Sequence, residues 1–139
     1  MLTDDNKNIA RQFYEGVINK ADLELASKIV HTNFVDHGNP PNLPGGIEGL
    51  KQFLSMISTA FPDIQVKVED MIAQNDRVAV RLTVSGTHKG VLMGTIPPSG
   101  KEATWSGIDF LRISEGKIAE RWAVRDLLGM MRQIGAINP

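Results

Sequence analysis

The chain contains no cysteine. That excludes a disulfide framework and a thiolate nucleophile. No block of like charges interrupts it, and its net charge is −1. The basic patch that nucleic acid or an anionic membrane surface calls for is therefore missing. No run approaches the roughly 18 apolar residues of a membrane span. The opening MLTDDNKNIARQF lacks the positive start and apolar stretch of a signal peptide. These absences lead us to expect a cytoplasmic protein with neither nucleic acid nor membrane as partner.

What is present is ordinary globular chemistry. The 139 residues, 42% of them hydrophobic, suit one domain spanning 1–139. Ile9, Phe13 and Val17 recur every four residues, which predicts a helix over about 4–19 capped by Thr3 or Asp4. A shorter helix follows Asp22, with Leu23, Ala26, Ile29 and Val30 as its apolar set. The segment 33–37 reads as extended and ends in the turn signal Gly38-Asn39-Pro40-Pro41. Ile47, Leu50, Phe53, Leu54, Ile57 and Phe61 form an amphipathic stripe, and Pro62 ends that helix.

Beyond Pro62 the period falls from about 3.6 to 2. Ile64, Val66 and Val68 alternate with polar neighbours, as do Val78, Val80, Leu82 and Val84. Two longer strands cover about 101–113 and 118–124, joined by a hairpin turn at Ser114-Glu115-Gly116-Lys117. A final helix holds Leu127, Leu128, Met131 and Ile134. Helices first and antiparallel strands afterwards predict an α+β fold. Its expected form is a cone-shaped, curved antiparallel sheet wrapped around the N-terminal helices. The mouth of such a cone is a natural apolar pocket for a small molecule.

Several segments, in order, carry a family likeness: Phe34-Val35-Asp36-His37, Gly46-Ile47-Glu48-Gly49, Phe61-Pro62-Asp63, Gly86-Thr87-His88-Lys89-Gly90, Pro97-Pro98-Ser99-Gly100-Lys101, and Gly116-Lys117-Ile118-Ala119-Glu120-Arg121-Trp122 followed by Asp126. With these the chain resembles the SnoaL-like polyketide cyclases and ester cyclases, within the wider fold of nuclear transport factor 2 and ketosteroid isomerase. The resemblance implies a curved sheet, frequent homodimers and no metal or organic cofactor. It also implies an intramolecular aldol closure in which an aspartate of the C-terminal strand region is the acid/base. Asp126 is the matching position.

The residues allow more than one reading of each candidate. Asp126 among Trp105, Trp122 and leucines at a pocket floor would have its pKa raised toward neutrality, as an acid/base group needs. It is equally placed to cap the last helix. Asp109 shares a strand face with Trp105, Gly107 and Leu111. It is either a second polar group of the pocket or half of an ion pair with Arg81 or Arg121. His37 is a proton shuttle or a turn histidine. His88 faces the pocket mouth or closes a strand end. Trp105, Trp122, Phe34 and Phe53 are core by default and otherwise the walls that bind substrate.

No metal site is expected, because His31 and His37 match no ligand spacing. The stretch Gly94–Lys101 fails as a phosphate loop, with one residue too many between its glycines. The leading expectation is a cofactor-independent acid/base enzyme acting on a hydrophobic carbonyl compound. The alternatives are a non-catalytic small-molecule binding protein, or a hydrolase or isomerase using the same pocket.

Overall fold

A computed structural model describes residues 2–40 and 42–138. Helix α1 (Leu2–Gln12) opens the chain and passes directly into a π-helix, Phe13–Ile18. The expected single helix is thus two, and α1 starts ahead of both expected caps, with Asp4 and Asp5 inside its first turn. Helix α2 (Leu23–Ile29) is capped as expected: the Asp22 carboxylate accepts the Leu25 N–H at 3.0 Å. Val30 belongs not to this helix but to strand β1 (Val30–Asp36), which is longer than the sequence suggested. Its β-branched side chain suits the extended backbone that follows the cap.

Helix α3 (Gly46–Ala60) ends just before Phe61-Pro62, as proline demands. Strands β2 (Gln65–Gln74), β3 (Arg77–Thr87), β4 (Glu102–Ser114) and β5 (Lys117–Arg125) follow, then helix α4 (Leu127–Gln133). The β4–β5 hairpin turns on Glu115 and Gly116, both in the left-handed region at φ 54° and 75°. Such two-residue turns match the twist of the strands they join.

The sheet order is β1-β5-β4-β3-β2, curved and unclosed. Four strands run antiparallel, and β1 adds a fifth, parallel to β5. Alternation decides which side of each strand is buried. On β3, Val78, Val80, Leu82 and Val84 point inward, and on β4, Ala103, Trp105, Gly107, Asp109 and Leu111 do so. The concave face packs on Phe13, Tyr14, Val17 and Ile18, the four buried residues of the π-helix. Fully burying one such side chain contributes about 1.5–3 kcal/mol. Among the described residues no helix is long and apolar enough to cross a membrane.

Candidate active site

The concave face of the sheet does not pack solid. A cavity of about 420 Å³ remains between it, α3, α4 and the connection from β3 to β4. Most of its wall is apolar: Phe53, Met56 and Ile57 come from α3, Ile64, Val66 and Val84 from the sheet side, and Leu92, Met93 and Met130 from the C-terminal half. Four polar side chains join them: Tyr14, Asn39, Arg121 and Arg125.

Three of these four are tied to one buried carboxylate. Asp109 is 0% exposed. Its Oδ2 accepts a 2.6 Å hydrogen bond from the Tyr14 hydroxyl and a 3.1 Å bond from Arg121 Nε. Arg125 grips it with both terminal nitrogens, Nη1 on Oδ1 and Nη2 on Oδ2, the latter at 3.2 Å. Arg121 also donates from Nη1 to Asp36 Oδ2 at 2.7 Å. Two carboxylates and two guanidinium groups thus balance in charge, which is the condition for burying them at all.

The local sequence explains how these groups meet. Arg121, Ala123 and Arg125 fall on one face of β5 by the two-residue period. Arg125 reaches Asp109 by crossing Gly107, its partner in the β4–β5 register. A methyl at 107 would lie 2.6 Å from Arg125 Cδ, so glycine is what leaves the path open. Tyr14 arrives on the π-helix, a rare form often found at functional sites. Gly38 N–H donates to Asp36 Oδ1 at 2.9 Å, an Asx turn that carries the chain from β1 to the cavity wall at Gly38, Asn39 and Pro40.

The electrostatics follow. Burial alone would raise the Asp109 carboxyl, but Arg121, Arg125 and the Tyr14 hydrogen bond outweigh it and hold it below the usual carboxylate range. Burial and the Asp109 charge push the Tyr14 phenol well above its ordinary value. Arg121 is likewise raised: Asp109 and Asp36 overcome the burial that would lower it. Asp109 is therefore an ionised brace with its oxygens engaged. The two arginines and the phenol form a polar pole at one end of an otherwise apolar hollow.

The sequence candidates divide sharply. Phe53 and Trp105 line the cavity. Asp109 stands behind the wall, in the ion pair with Arg121 that the residues had allowed. Asp126 is exposed and off the cavity wall, rather than at a dry pocket floor; it caps α4, its Oδ1 accepting the Gly129 N–H at 2.9 Å. The helix start places its carboxylate there. His37 and Trp122 lie on the outer sheet face, stacked at 4.8 Å with 10° between ring planes. His37 Nε2 is 2.8 Å from Glu120 Oε2. Phe34 is core and borders a second, smaller cavity. His88 is fully buried, accepting the Ser99 N–H on Nδ1 at 3.2 Å, and packs against Phe61 of the cavity wall with ring centroids 5.5 Å apart.

Sequence reasoning missed Tyr14 and Arg125. Signals existed: a lone tyrosine, and a glycine within β4, which marks a close approach of backbone or side chain.

Comparison with known proteins places this architecture. No curated protein matches the chain. Solved structures do. TsrD from Streptomyces laurentii is 27% identical, covers 96% of this chain and 97% of its own, and superposes with a TM-score of 0.87. A candidate polyketide cyclase from Bacillus cereus is 32% identical over 96% of this chain and 82% of its own, at 0.81. IdmH, a candidate polyketide cyclase from Streptomyces antibioticus, is 28% identical over 94% and 98%, at 0.82. The family model for SnoaL-like polyketide cyclase matches residues 8–134. With that match covering nearly the whole fold and cavity, the chain belongs to the SnoaL-like polyketide cyclase family.

Proposed function

We propose that this protein binds a largely apolar carbonyl compound and promotes its intramolecular aldol closure. The observation that carries this reading is the pole of Tyr14, Arg121 and Arg125 at one end of an apolar cavity. A carbonyl oxygen seated there meets the remaining N–H donors of Arg121 and Arg125, oriented by Asp109, while the Tyr14 hydroxyl gives its proton to Asp109 and braces the cluster. Such preorganised donors stabilise the enolate as charge develops on the oxygen. The reaction moves one proton from an α-carbon to a base, forms a carbon–carbon bond to a second carbonyl, and returns a proton to the new alkoxide. No electrons are gained or lost, so the step needs no redox cofactor.

Asp126 is the proton acceptor and donor in this reading. Its neighbours in the chain, Arg125 and Leu127, both line the cavity, while its own carboxylate is exposed and caps α4, so acting as the base requires it to release the Gly129 N–H and turn toward the cavity. Asp109 contributes by holding the guanidinium groups, not as the base. The test is closure of an aromatic β-keto ester carrying a second ketone within reach of the α-carbon, followed by chromatography. Wild-type protein accelerates it over buffer, and Arg125→Met removes about 10²–10³-fold of that gain. No acceleration by wild-type protein means the catalytic reading is wrong.

One observation favours a second reading, a non-catalytic binding protein. The carboxylate matched by family likeness is engaged as a helix cap, and Asp36 and Asp109 are occupied by arginines. This reading expects ligand affinity that is the same in Asp126→Ser and wild type, with no product.

A second copy of the chain is the partner we propose for the outer sheet face. Across the strands, Ile72 lies opposite Ala79, then Phe110, then Trp122, and Ile108 lies opposite Val124. Ile72, Ile108, Phe110 and Val124 are exposed. Charges on the same face are already paired, Arg81 with Asp70 at 3.1 Å and Arg112 with Glu120 at 2.7 Å. An apolar patch bordered by satisfied charges suits an identical partner.

A further inference from the structure

The cavity wall continues onto the molecular surface. Met56 of α3 is 43% exposed, Met93 of the β3–β4 connection 50%, and Leu127 of α4 42%, yet all three line the cavity. Each therefore has one side toward the hollow and another toward solvent. Single exposed apolar side chains need no explanation. Three from separate elements, all bordering one cavity, give it an exposed apolar rim.

Met93 sharpens the point. It sits with Gly94 at the tip of a tight hairpin closed by Leu92 N–H to Ile96 O and Ile96 N–H to Leu92 O, both 2.9 Å. Both tip residues adopt the left-handed backbone, Met93 at φ 53° and Gly94 at φ 72°. That conformation disfavours a residue with a side chain. Glycine at 93 would make the same turn without strain. What methionine adds is its flexible thioether arm, a surface that adapts to varied apolar shapes.

We infer that the ligand is longer than the cavity: its carbonyl head rests at the Tyr14, Arg121 and Arg125 pole, and an apolar tail leaves over Met56, Met93 and Leu127. The position of the head rests on the function proposed above; the tail rests on the rim alone. Covering the rim removes apolar surface from water on both partners, which is worth about fourfold in affinity per buried methylene.

The test is a series of 2-naphthyl alkyl ketones from methyl to octyl, each kept below its solubility limit, with affinity measured by calorimetry. Wild-type affinity rises along the series to its longest members. The readout is the ratio of octyl to methyl affinity. Met93→Gly, Met56→Gln and Leu127→Gln each lower that ratio at least tenfold. Met93→Gly does so with an unchanged or higher Tm, which separates the effect from misfolding. A ratio equal in wild type and all three variants overturns the inference, as does affinity that stops rising at short tails. Rim variants that alter sedimentation but not the ratio also overturn it and make the rim a protein contact. If Arg125→Met leaves every affinity unchanged while the tail gradient persists, the polar pole fails and the rim stands.

Discussion

The hydroxyl of Tyr14 donates a 2.6 Å hydrogen bond to Asp109, a residue 95 positions away in the chain. One comes from a π-helix, the other from the inner face of β4. Their meeting closes the polar end of the cavity and leaves the Asp109 carboxylate with no exposed oxygen. Arg121 and Arg125 complete the cluster, so the site presents donors to a ligand and keeps its carboxylate behind them.

Removing the brace is expected to be costly. Asp109→Asn leaves Arg121 and Arg125 short of one buried countercharge, which destabilises by about 3–5 kcal/mol. Chemical denaturation checks this. An Asp109→Asn midpoint within error of wild type would show that the cluster contributes nothing to the fold.

Gly107→Ala probes the crossing of Arg125 without touching a charge. The added methyl would meet Arg125 Cδ at 2.6 Å and the Val124 carbonyl oxygen at 2.8 Å. The expected cost is about 1–3 kcal/mol for overpacking, together with at least tenfold weaker binding of 2-naphthyl methyl ketone. Unchanged binding by calorimetry would detach Arg125 from the site.

Asp126 has two separable jobs. Serine caps a helix nearly as well as aspartate but cannot serve as a base. Asp126→Ala is therefore expected to cost about 1 kcal/mol and Asp126→Ser close to nothing. Turnover, by contrast, falls equally in both if the carboxylate carries the proton. Full turnover in the serine variant would assign Asp126 to capping alone.

The pole is expected to keep one charge state over a wide pH range. Asp109 has a lowered pKa, so its stabilisation is present above the unfolded value of about 3.9 and is lost as pH falls through the folded value. Tyr14 has a raised pKa, so its contribution is present below about 10 and is lost as pH rises through the folded value. Ketone affinity should then be flat from about pH 5 to 9, while Tm declines below about pH 4. A titration in ketone affinity near neutrality would contradict this charge assignment.

Val124→Glu tests the outer face. Val124 is exposed in one chain, so the monomer's own stability should change by no more than about 0.5 kcal/mol. Two copies would face each other's new charges, and sedimentation should show the dimer dissociating. A wild-type protein that sediments as a monomer at high concentration removes the proposal.

Much of the architecture was written in local patterns. The stripe from Ile47 to Phe61, the stop at Pro62 and the change to a two-residue period all depend on neighbours along the chain. So does the hairpin at Glu115-Gly116. The ordered motifs identified the family for the same reason. What no local pattern decided is the facing of β5. Its large apolar residue, Trp122, points outward, and its arginines at 121 and 125 point inward, against the usual sorting by polarity. Inward arginines hold only because Asp109 and Asp36, from two other strands, neutralise them. Outward Trp122 is covered by His37 on one side and by Arg77, 5.7 Å from its ring. Local patterning was enough for most of the elements, their order and the family likeness, though not for the π-helix or the start of β1. Which carboxylate is buried and which caps a helix was set by long-range packing, because the cost of burying a charge depends on partners that folding alone brings near.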